Sequence, residues 1–246
     1  CLPLNRRFLM WRKRTTRATG AAWQARHLKL LLVAFLSVLV GINSLWADFN
    51  NLDFELILRN AENKYGKLDI LTRDKIISWE ELIKQSESLE DSQKLAVVND
   101  FFNRQLRFVD DLSNWQQNDY WATPIEATVK GAADCEDYSL AKYFTLRRLG
   151  IPSAQLRITY VKALQYNQAH MVLTYYATPT ADPLVLDNLI PEIRPASQRR
   201  DLLPVYAFNA EGLYLPGRKS GDSKKLSRWQ DVLKKMRAEG FAVGDG

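Results

Sequence analysis

Apolar residues recur every three to four positions in several segments between residues 52 and 106. Over Leu52–Tyr65 they lie at helical spacing, and Gly66 follows as a stop signal. Similar spacing predicts a short helix over Ile76–Ser86 and a longer one over Asp91–Leu106. The next segment, Asp110–Pro124, is polar and carries three aromatic residues. We predict a long loop there, and loops of that length are often functional.

The second half of the chain begins with a helix and then changes to the alternating pattern of strands. Cys135–Leu149 is apolar over much of its circumference and is predicted to be a helix that ends at Gly150. Three strands are then predicted, at Ala154–Val161, Ala169–Tyr176 and Pro183–Leu189. Short polar loops favour an antiparallel meander, with one further hairpin and a closing helix over Ser227–Ala238. Helices that precede strands predict an α+β fold.

Charge is distributed unevenly along the chain. The net charge of +6 comes from residues 1–47, which hold eight basic and no acidic residues, while the rest holds 26 basic and 28 acidic residues. The main body is therefore slightly acidic, and we expect no nucleic-acid partner.

The basic residues at the start of the chain precede an apolar run, Leu30–Ile42, and a candidate cleavage position at Ala47. This order is typical of a signal peptide. The 13 residues of the run are short of the roughly 20 that span a bilayer. We predict that residues 1–47 are a signal peptide, with an N-terminal membrane anchor through residues 30–45 as the alternative. Residues 48–246 are predicted to form one exported domain.

Reactive side chains are scarce in that domain. Cys135 and His170 are its only cysteine and histidine, so Cys135 has no disulfide partner and a Cys/His zinc site lacks ligands. Asp134 is placed to cap the helix that begins at Cys135, and a helix N-terminus stabilises a thiolate against nearby carboxylates.

A nucleophilic cysteine needs a base and the base needs an orienting acceptor. His170 lies on a predicted strand and Asp187 near the end of the next, so both could meet Cys135 at one edge of the sheet. Spacing alone leaves other interpretations open. Cys135 could be an inert small hydrophobe, His170 a satisfied polar residue, and Asp187 the start of a turn.

The stretch GAADCEDYSLAKYFTLRRLGIP, followed by AHMVLTYY and PLVLDNL, resembles the bacterial transglutaminase-like cysteine proteinases, and within them the LapG type. The resemblance covers roughly Leu52–Leu215. It implies a papain-like, transglutaminase-like α+β fold, with N-terminal helices and a central Cys-bearing helix packed on an antiparallel sheet. By motif, it implies a catalytic triad of Cys135, His170 and Asp187.

The resemblance also implies dependence on calcium, Ca²⁺. Asp134, Glu136 and Asp137 would supply oxygen ligands. Of these, Asp134 and Glu136 match the family pattern best. Ca²⁺ takes roughly six to eight oxygens, so the Asp110–Asp119 loop, backbone carbonyls or waters would contribute the others. Without the resemblance, the preferred interpretation is that Asp134 caps the helix and the other two carboxylates favour its dipole.

The function implied by the resemblance is that of a periplasmic, calcium-dependent cysteine endopeptidase. It would cleave a large cell-surface adhesin near its N-terminus, at a di-alanine site, and so promote biofilm dispersal. The implied partners are the adhesin as substrate and an inner-membrane cyclic-di-GMP receptor of the LapD type that sequesters the protease. Two alternatives stay open, a transglutaminase-type acyltransferase with the same triad and a non-catalytic binding module on the same fold.

Overall fold

The computed structural model describes residues 53–244 of the chain. The predicted signal peptide or anchor, residues 1–47, lies outside the described residues. Within residues 53–244, no helix is both long enough and apolar enough to span a membrane.

Seven α-helices are present in the described part of the chain. They are α1 (Phe54–Tyr65), α2 (Ile70–Ser86), α3 (Asp91–Gln105), α4 (Asp111–Trp115), α5 (Pro124–Lys130), α6 (Cys135–Arg148) and α7 (Ser227–Glu239). Helix α2 is longer than predicted because it begins at Ile70, after the N-cap Asp69, whose carboxylate accepts a hydrogen bond from the Thr72 amide at 2.8 Å. Ile70 and Leu71 in its first turn are exposed, so the apolar stripe starts only at Ile76.

The prediction of a loop over Asp110–Pro124 is wrong in part, because this segment contains α4 and the start of α5. Asp110 caps α4 by accepting a hydrogen bond from the Ser113 amide at 3.0 Å. Helix α5 begins with a reciprocal capping box between Thr123 and Glu126, with Pro124 in the first turn. That Thr-x-x-Glu signal is readable in the sequence, but α5 is too short to show a helical period.

Nine strands complete the described fold. They are β1 (Arg107–Phe108), β2 (Ala132–Ala133), β3 (Leu156–Ala163), β4 (Gln168–Tyr175), β5 (Leu184–Leu186), β6 (Arg194–Pro195), β7 (Leu202–Asn209), β8 (Gly212–Leu215) and β9 (Arg218–Gly221). Strands β1 and β2 form a short parallel pair. The other seven form one sheet in the order β6-β5-β4-β3-β7-β8-β9, with every neighbour antiparallel. The predicted α+β class and the antiparallel meander β3-β4-β5 are confirmed.

Helix α6 lies at the centre of the fold. It packs on β3 and β4 on one side and on α3 on the other, which explains why apolar residues surround most of it. Its neighbours in the core include the fully buried Trp79, Phe102 and Trp229. This packing holds the first residue of α6, Cys135, against the sheet beside β4.

Candidate active site

Cys135 is the first residue of α6 and lines a cleft, where its side chain is partly exposed. Its thiol donates a hydrogen bond to Glu136 Oε2, with Sγ and Oε2 3.1 Å apart. Burial first, and then the carboxylates of Glu136 and Asp134, raise the pKa of the Cys135 thiol well above its ordinary value. With protein groups alone, these effects outweigh the helix N-terminus that was expected to favour the thiolate.

Asp134 occupies the N-cap position of α6 as predicted, but its side chain makes no capping hydrogen bond. The expectation that this carboxylate caps the helix is therefore wrong. Its Oδ1 is buried without a hydrogen-bond partner among the described residues. A buried carboxylate oxygen that neither caps the helix nor accepts another hydrogen bond points to a ligand outside the protein.

His170 and Asp187 form a hydrogen-bonded pair. His170 lies on β4, opposite Val161 of β3, and Asp187 follows the last residue of β5 directly. Because β4 and β5 are adjacent, His170 Nε2 comes within 2.8 Å of Asp187 Oδ1. Both side chains are buried. The Nδ1 atom is thus the ring nitrogen left to act on a substrate or a thiol.

Asp187 is stabilised as a carboxylate. Burial alone would raise its pKa, but hydrogen bonds with His170, the Leu189 amide and Arg199 lower it to about 2. Arg199 was not predicted from the sequence. No motif marks it, because Arg199 reaches Asp187 only through the folding of the segment between β6 and β7 back against β5.

Cys135 and His170 line the same two hollows of the surface. The larger has a volume of about 620 Å³ and is also lined by Trp121 and by Tyr160 and Tyr206, whose rings stack with centroids 5.0 Å apart. The smaller, of about 310 Å³, is lined mainly by apolar side chains, namely Phe108, Ala163, Tyr166, Ala169 and Leu189. The three residues predicted as a triad therefore lie in one region, although the thiol hydrogen bond goes to Glu136 rather than to His170.

An acidic cluster lies beside Cys135. Carboxylate oxygens of Asp111, Asp134 and Asp137 lie within 4.8 Å of one another, and so do those of Asp111, Asp119 and Glu136. Of the three residues predicted as metal ligands, Asp134 and Asp137 fall in one group and Glu136 in the other, and Asp111 belongs to both. Asp111 and Asp119 come from the Asp110–Asp119 loop that was expected to add ligands.

The acidic cluster is only partly satisfied by the protein. Asp111 Oδ2 accepts a hydrogen bond from the Tyr120 amide, and Asp137 Oδ1 accepts one from the Ala122 amide. Asp111 Oδ1, Asp134 Oδ1 and Asp137 Oδ2 are buried with no hydrogen-bond partner among residues 53–244. Of the five carboxylates in the cluster, only Asp119 forms an ion pair within residues 53–244, with Arg228 at 3.0 Å. Burial and the neighbouring carboxylates raise the pKa of Asp111 to about 6, that of Asp134 to about 10, and that of Asp137 well above its usual range. Neighbouring carboxylates with buried oxygens that lack donors fit a hard, oxygen-binding cation such as Ca²⁺.

Comparison with known proteins agrees with this geometry. The family model for bacterial transglutaminase-like cysteine proteinases matches residues 77–201. LapG of Legionella pneumophila is 43% identical, with 75% of this chain and 98% of that chain covered and a TM-score of 0.66. Its EGTA-treated form gives 43% identity, the same coverage and a TM-score of 0.67. Its calcium-bound form gives 42% identity, coverage of 75% and 99%, and a TM-score of 0.66.

No curated protein sequence matches the chain. The family match and the LapG structures confirm the resemblance and the transglutaminase-like fold expected from the sequence. The chain belongs to the bacterial transglutaminase-like cysteine proteinases.

Proposed function

We propose that this protein is an exported, calcium-dependent cysteine endopeptidase that cleaves a large cell-surface adhesin near its N-terminus, at a di-alanine site. Cleavage would release the adhesin and promote biofilm dispersal. The observation that carries the proposal is the His170–Asp187 hydrogen bond beside Cys135, in one cleft of a cysteine proteinase fold.

In this proposal Cys135 is the nucleophile, His170 the base and Asp187 the orienting acceptor. His170 Nδ1 takes the thiol proton as Sγ bonds to the scissile carbonyl carbon. His170 then gives that proton to the leaving amine as the C–N bond breaks, which leaves a thioester. Water, deprotonated by His170, hydrolyses the thioester and frees Cys135. Asp187 holds Nε2–H and stabilises the imidazolium throughout.

The residues that would hold Ca²⁺ are Asp111, Asp119, Asp134, Glu136 and Asp137. A bound cation supplies positive charge beside the thiol and so offsets the carboxylates that raise its pKa. Glu136 is the acceptor of the Cys135 hydrogen bond at 3.1 Å. If Glu136 serves as a ligand, it no longer competes with His170 for the thiol proton.

The surroundings of Cys135 suit a polypeptide substrate. Apolar side chains line the smaller hollow, in keeping with alanine side chains at the cleaved site. Phe108, Tyr166 and Leu189 at its edge are 58%, 56% and 43% exposed. Such an exposed apolar rim supports docking of protein partners. We propose that the adhesin segment and a sequestering cyclic-di-GMP receptor of the LapD type both contact this rim.

The cleavage test uses the purified protein and a recombinant N-terminal adhesin fragment that contains a di-alanine site. We expect cleavage between the alanines in Ca²⁺, none with excess EGTA, and none by Cys135→Ala under either condition. A fragment with both alanines replaced by aspartate is the matched control substrate. Cleavage by Cys135→Ala at the wild-type rate would overturn the proposal.

The rival acyltransferase function shares the thioester and differs in the group that resolves it. A fluorescent primary amine added to the same reaction distinguishes the two. We expect hydrolysed fragments and no labelled fragment, whereas predominant labelling would indicate a transglutaminase-type enzyme.

Export is tested by fractionation of cells that produce the full chain. We expect residues 48–246 in the periplasmic fraction, or in the membrane fraction if residues 30–45 act as an anchor. Recovery from the cytoplasm with an intact N-terminus would refute export.

A further inference from the structure

Both carboxylate oxygens of Asp187 are occupied, and a second charged residue holds one of them. Oδ1 lies 2.8 Å from His170 Nε2 and accepts the Leu189 N–H at 3.0 Å. Oδ2 accepts a hydrogen bond from Arg199 Nη2 at 2.7 Å. Arg199 is 3% exposed and Asp187 1%, so bulk water screens the pair little.

Arg199 is itself fixed from its other side. Asp201 accepts hydrogen bonds from Arg199 Nε at 3.0 Å and from Arg199 Nη2 at 2.8 Å. The backbone carbonyl of Asp201 accepts the Leu164 N–H at 2.8 Å, which ties this brace to the turn between β3 and β4. The guanidinium therefore lies between two carboxylates, one buried and one near the surface.

We propose that Arg199, braced by Asp201, is a positioning residue that keeps Asp187 ionised and turned toward His170. The inference rests on the proposed function, in which Asp187 orients the histidine base. It adds two residues behind the triad that no motif in the sequence reveals.

The first reason is charge. A buried carboxylate whose only partner is a neutral imidazole tends to take up a proton, and a protonated Asp187 would lose its charge toward His170. A guanidinium stays charged at every working pH. Burial alone would lower the pKa of Arg199, but its hydrogen bonds with Asp201 and Asp187 raise it.

The second reason is geometry. With Oδ2 held by Arg199, the carboxylate cannot rotate away from His170 without breaking a charge-assisted hydrogen bond. Asn103 fixes the backbone at the same residue, because its Nδ2 donates to the Asp187 carbonyl at 2.8 Å. The tautomer of His170 is set by this fixed acceptor.

One further cation faces Asp187, from α6. Lys142 is 1% exposed, and burial lowers its pKa to about 7, with Asp187 opposing the effect. The charge of Lys142 therefore varies near neutral pH. Arg199 is the permanent positive charge at Asp187, which is why the role is assigned to Arg199.

The deciding measurement is an NMR titration of the His170 imidazole in the full chain with Arg199→Gln. The chain has two histidines, His27 and His170, so His27→Gln assigns the resonances. Without Arg199, Asp187 takes up a proton or turns away, so the imidazolium loses its anionic partner and the His170 titration midpoint should fall by about one pH unit. Arg200→Gln removes an exposed neighbouring arginine and should leave the midpoint unchanged. Equal midpoints in the two folded variants would overturn the inference, whether or not the protein proves to be a protease.

Two gentler variants keep the test decisive if Arg199→Gln does not fold. Arg199→Lys keeps the charge and loses the planar fork, so it should keep the wild-type midpoint. Asp201→Asn loosens the brace but leaves the guanidinium beside Asp187, so the His170 midpoint should fall by a smaller amount. A lowered midpoint in Arg199→Lys, or a midpoint in Asp201→Asn that does not fall, would contradict the proposed roles.

Kinetics supply the second readout. We expect Arg199→Gln to lower kcat roughly 10- to 100-fold, the range found when an outer partner that orients a functional side chain is removed. Its pH–rate profile should move to lower pH with the His170 midpoint, and Arg199→Lys should recover the wild-type profile. A lower rate with an unmoved profile would mean that Arg199 only supports the fold.

Discussion

Asp187 and Asp134 are both largely buried beside the cleft, but only Asp187 has hydrogen-bond partners within the chain for both of its carboxylate oxygens. Asp187 accepts from His170, Leu189 and Arg199, and its pKa falls to about 2. Asp134, in the acidic cluster, has an unpartnered oxygen, and its pKa rises to about 10. Burial acts on both groups, so the difference comes from their partners.

The comparison teaches that one region is complete within the chain and the other is not. Asp187 carries its counter-charge in Arg199, so the orienting acceptor needs nothing from solution. The acidic cluster of Asp111, Asp119, Asp134, Glu136 and Asp137 lacks a matching set of basic groups among the described residues. It is therefore the region that the proposed function assigns to a cation from solution.

The largest expected effect comes from removing the charge of Asp187, whose hydrogen-bond partners all belong to the chain. Asp187→Asn keeps the shape of the side chain and removes the charge, so we expect kcat to fall by about 10³- to 10⁴-fold. Asparagine is preferable to alanine, since alanine would leave Arg199 without its buried partner. The thermal shift caused by Ca²⁺ should stay at its wild-type value. Asp231→Asn, an exposed change on α7, is the matched control for rate.

If Asp187→Asn also lost the response to Ca²⁺, the two regions would not be independent. That outcome would contradict the comparison directly.

The next effect concerns the incomplete region. A ligand that binds only the folded state at a hundredfold excess over its Kd should raise Tm by about 5–10 °C. We expect Ca²⁺ to do this and Mg²⁺ to do so poorly, because Mg²⁺ demands a tighter octahedral shell. Glu136→Gln should weaken the response, whereas Glu55→Gln on the exposed face of α1 should not. An equal shift with Mg²⁺, or a full response in Glu136→Gln, would argue against a calcium site.

A smaller effect tests the extra cation beside Asp187. Lys142 has a folded pKa of about 7, below the roughly 10.4 of an exposed lysine. The unfolded chain therefore binds more protons between these values, so Lys142 destabilises the fold below about pH 7 and the penalty fades as pH rises toward 10.

Lys142→Met should accordingly raise Tm at pH 7 by about 3 °C or more. The gain should shrink toward pH 10, whereas Lys67→Met, an exposed change, should have little effect at either pH. A lower Tm for Lys142→Met at pH 7 would show that the ammonium stabilises the fold, contrary to this account.

The smallest effect separates a helix cap from a metal ligand. Asp69 makes the capping bond at the start of α2, so Asp69→Ala should lower Tm by about 1–3 °C with or without Ca²⁺. Asp134 makes no such bond. Asp134→Ala should lower Tm only in Ca²⁺, and with EGTA it should raise Tm because one repelling carboxylate is gone. If Asp134→Ala lowered Tm equally in Ca²⁺ and in EGTA, Asp134 would be a helix cap and not a metal ligand.

Long periodic segments were predictable because local pattern decides them. Helices α1, α3, α6 and α7 were predicted to within a few residues, since each carries a full apolar stripe and a clear stop or start. Helices α4 and α5 and strands β1, β2, β6 and β9 were missed. Each has seven residues or fewer, too few to show a period.

The sequence by itself determined the α+β class, the family, and the order of Cys135, His170 and Asp187 along the chain. Periodicity and a contiguous motif are local properties, so they survive without coordinates. Only the tertiary structure decided the partners of these residues. Arg199 reaches Asp187 across the sheet edge, and Asp111 meets Asp134 across a loop. Such pairings depend on how the chain folds, not on local sequence. The resulting hydrogen bonds and burial decide which carboxylate has its partners within the protein and which one lacks them.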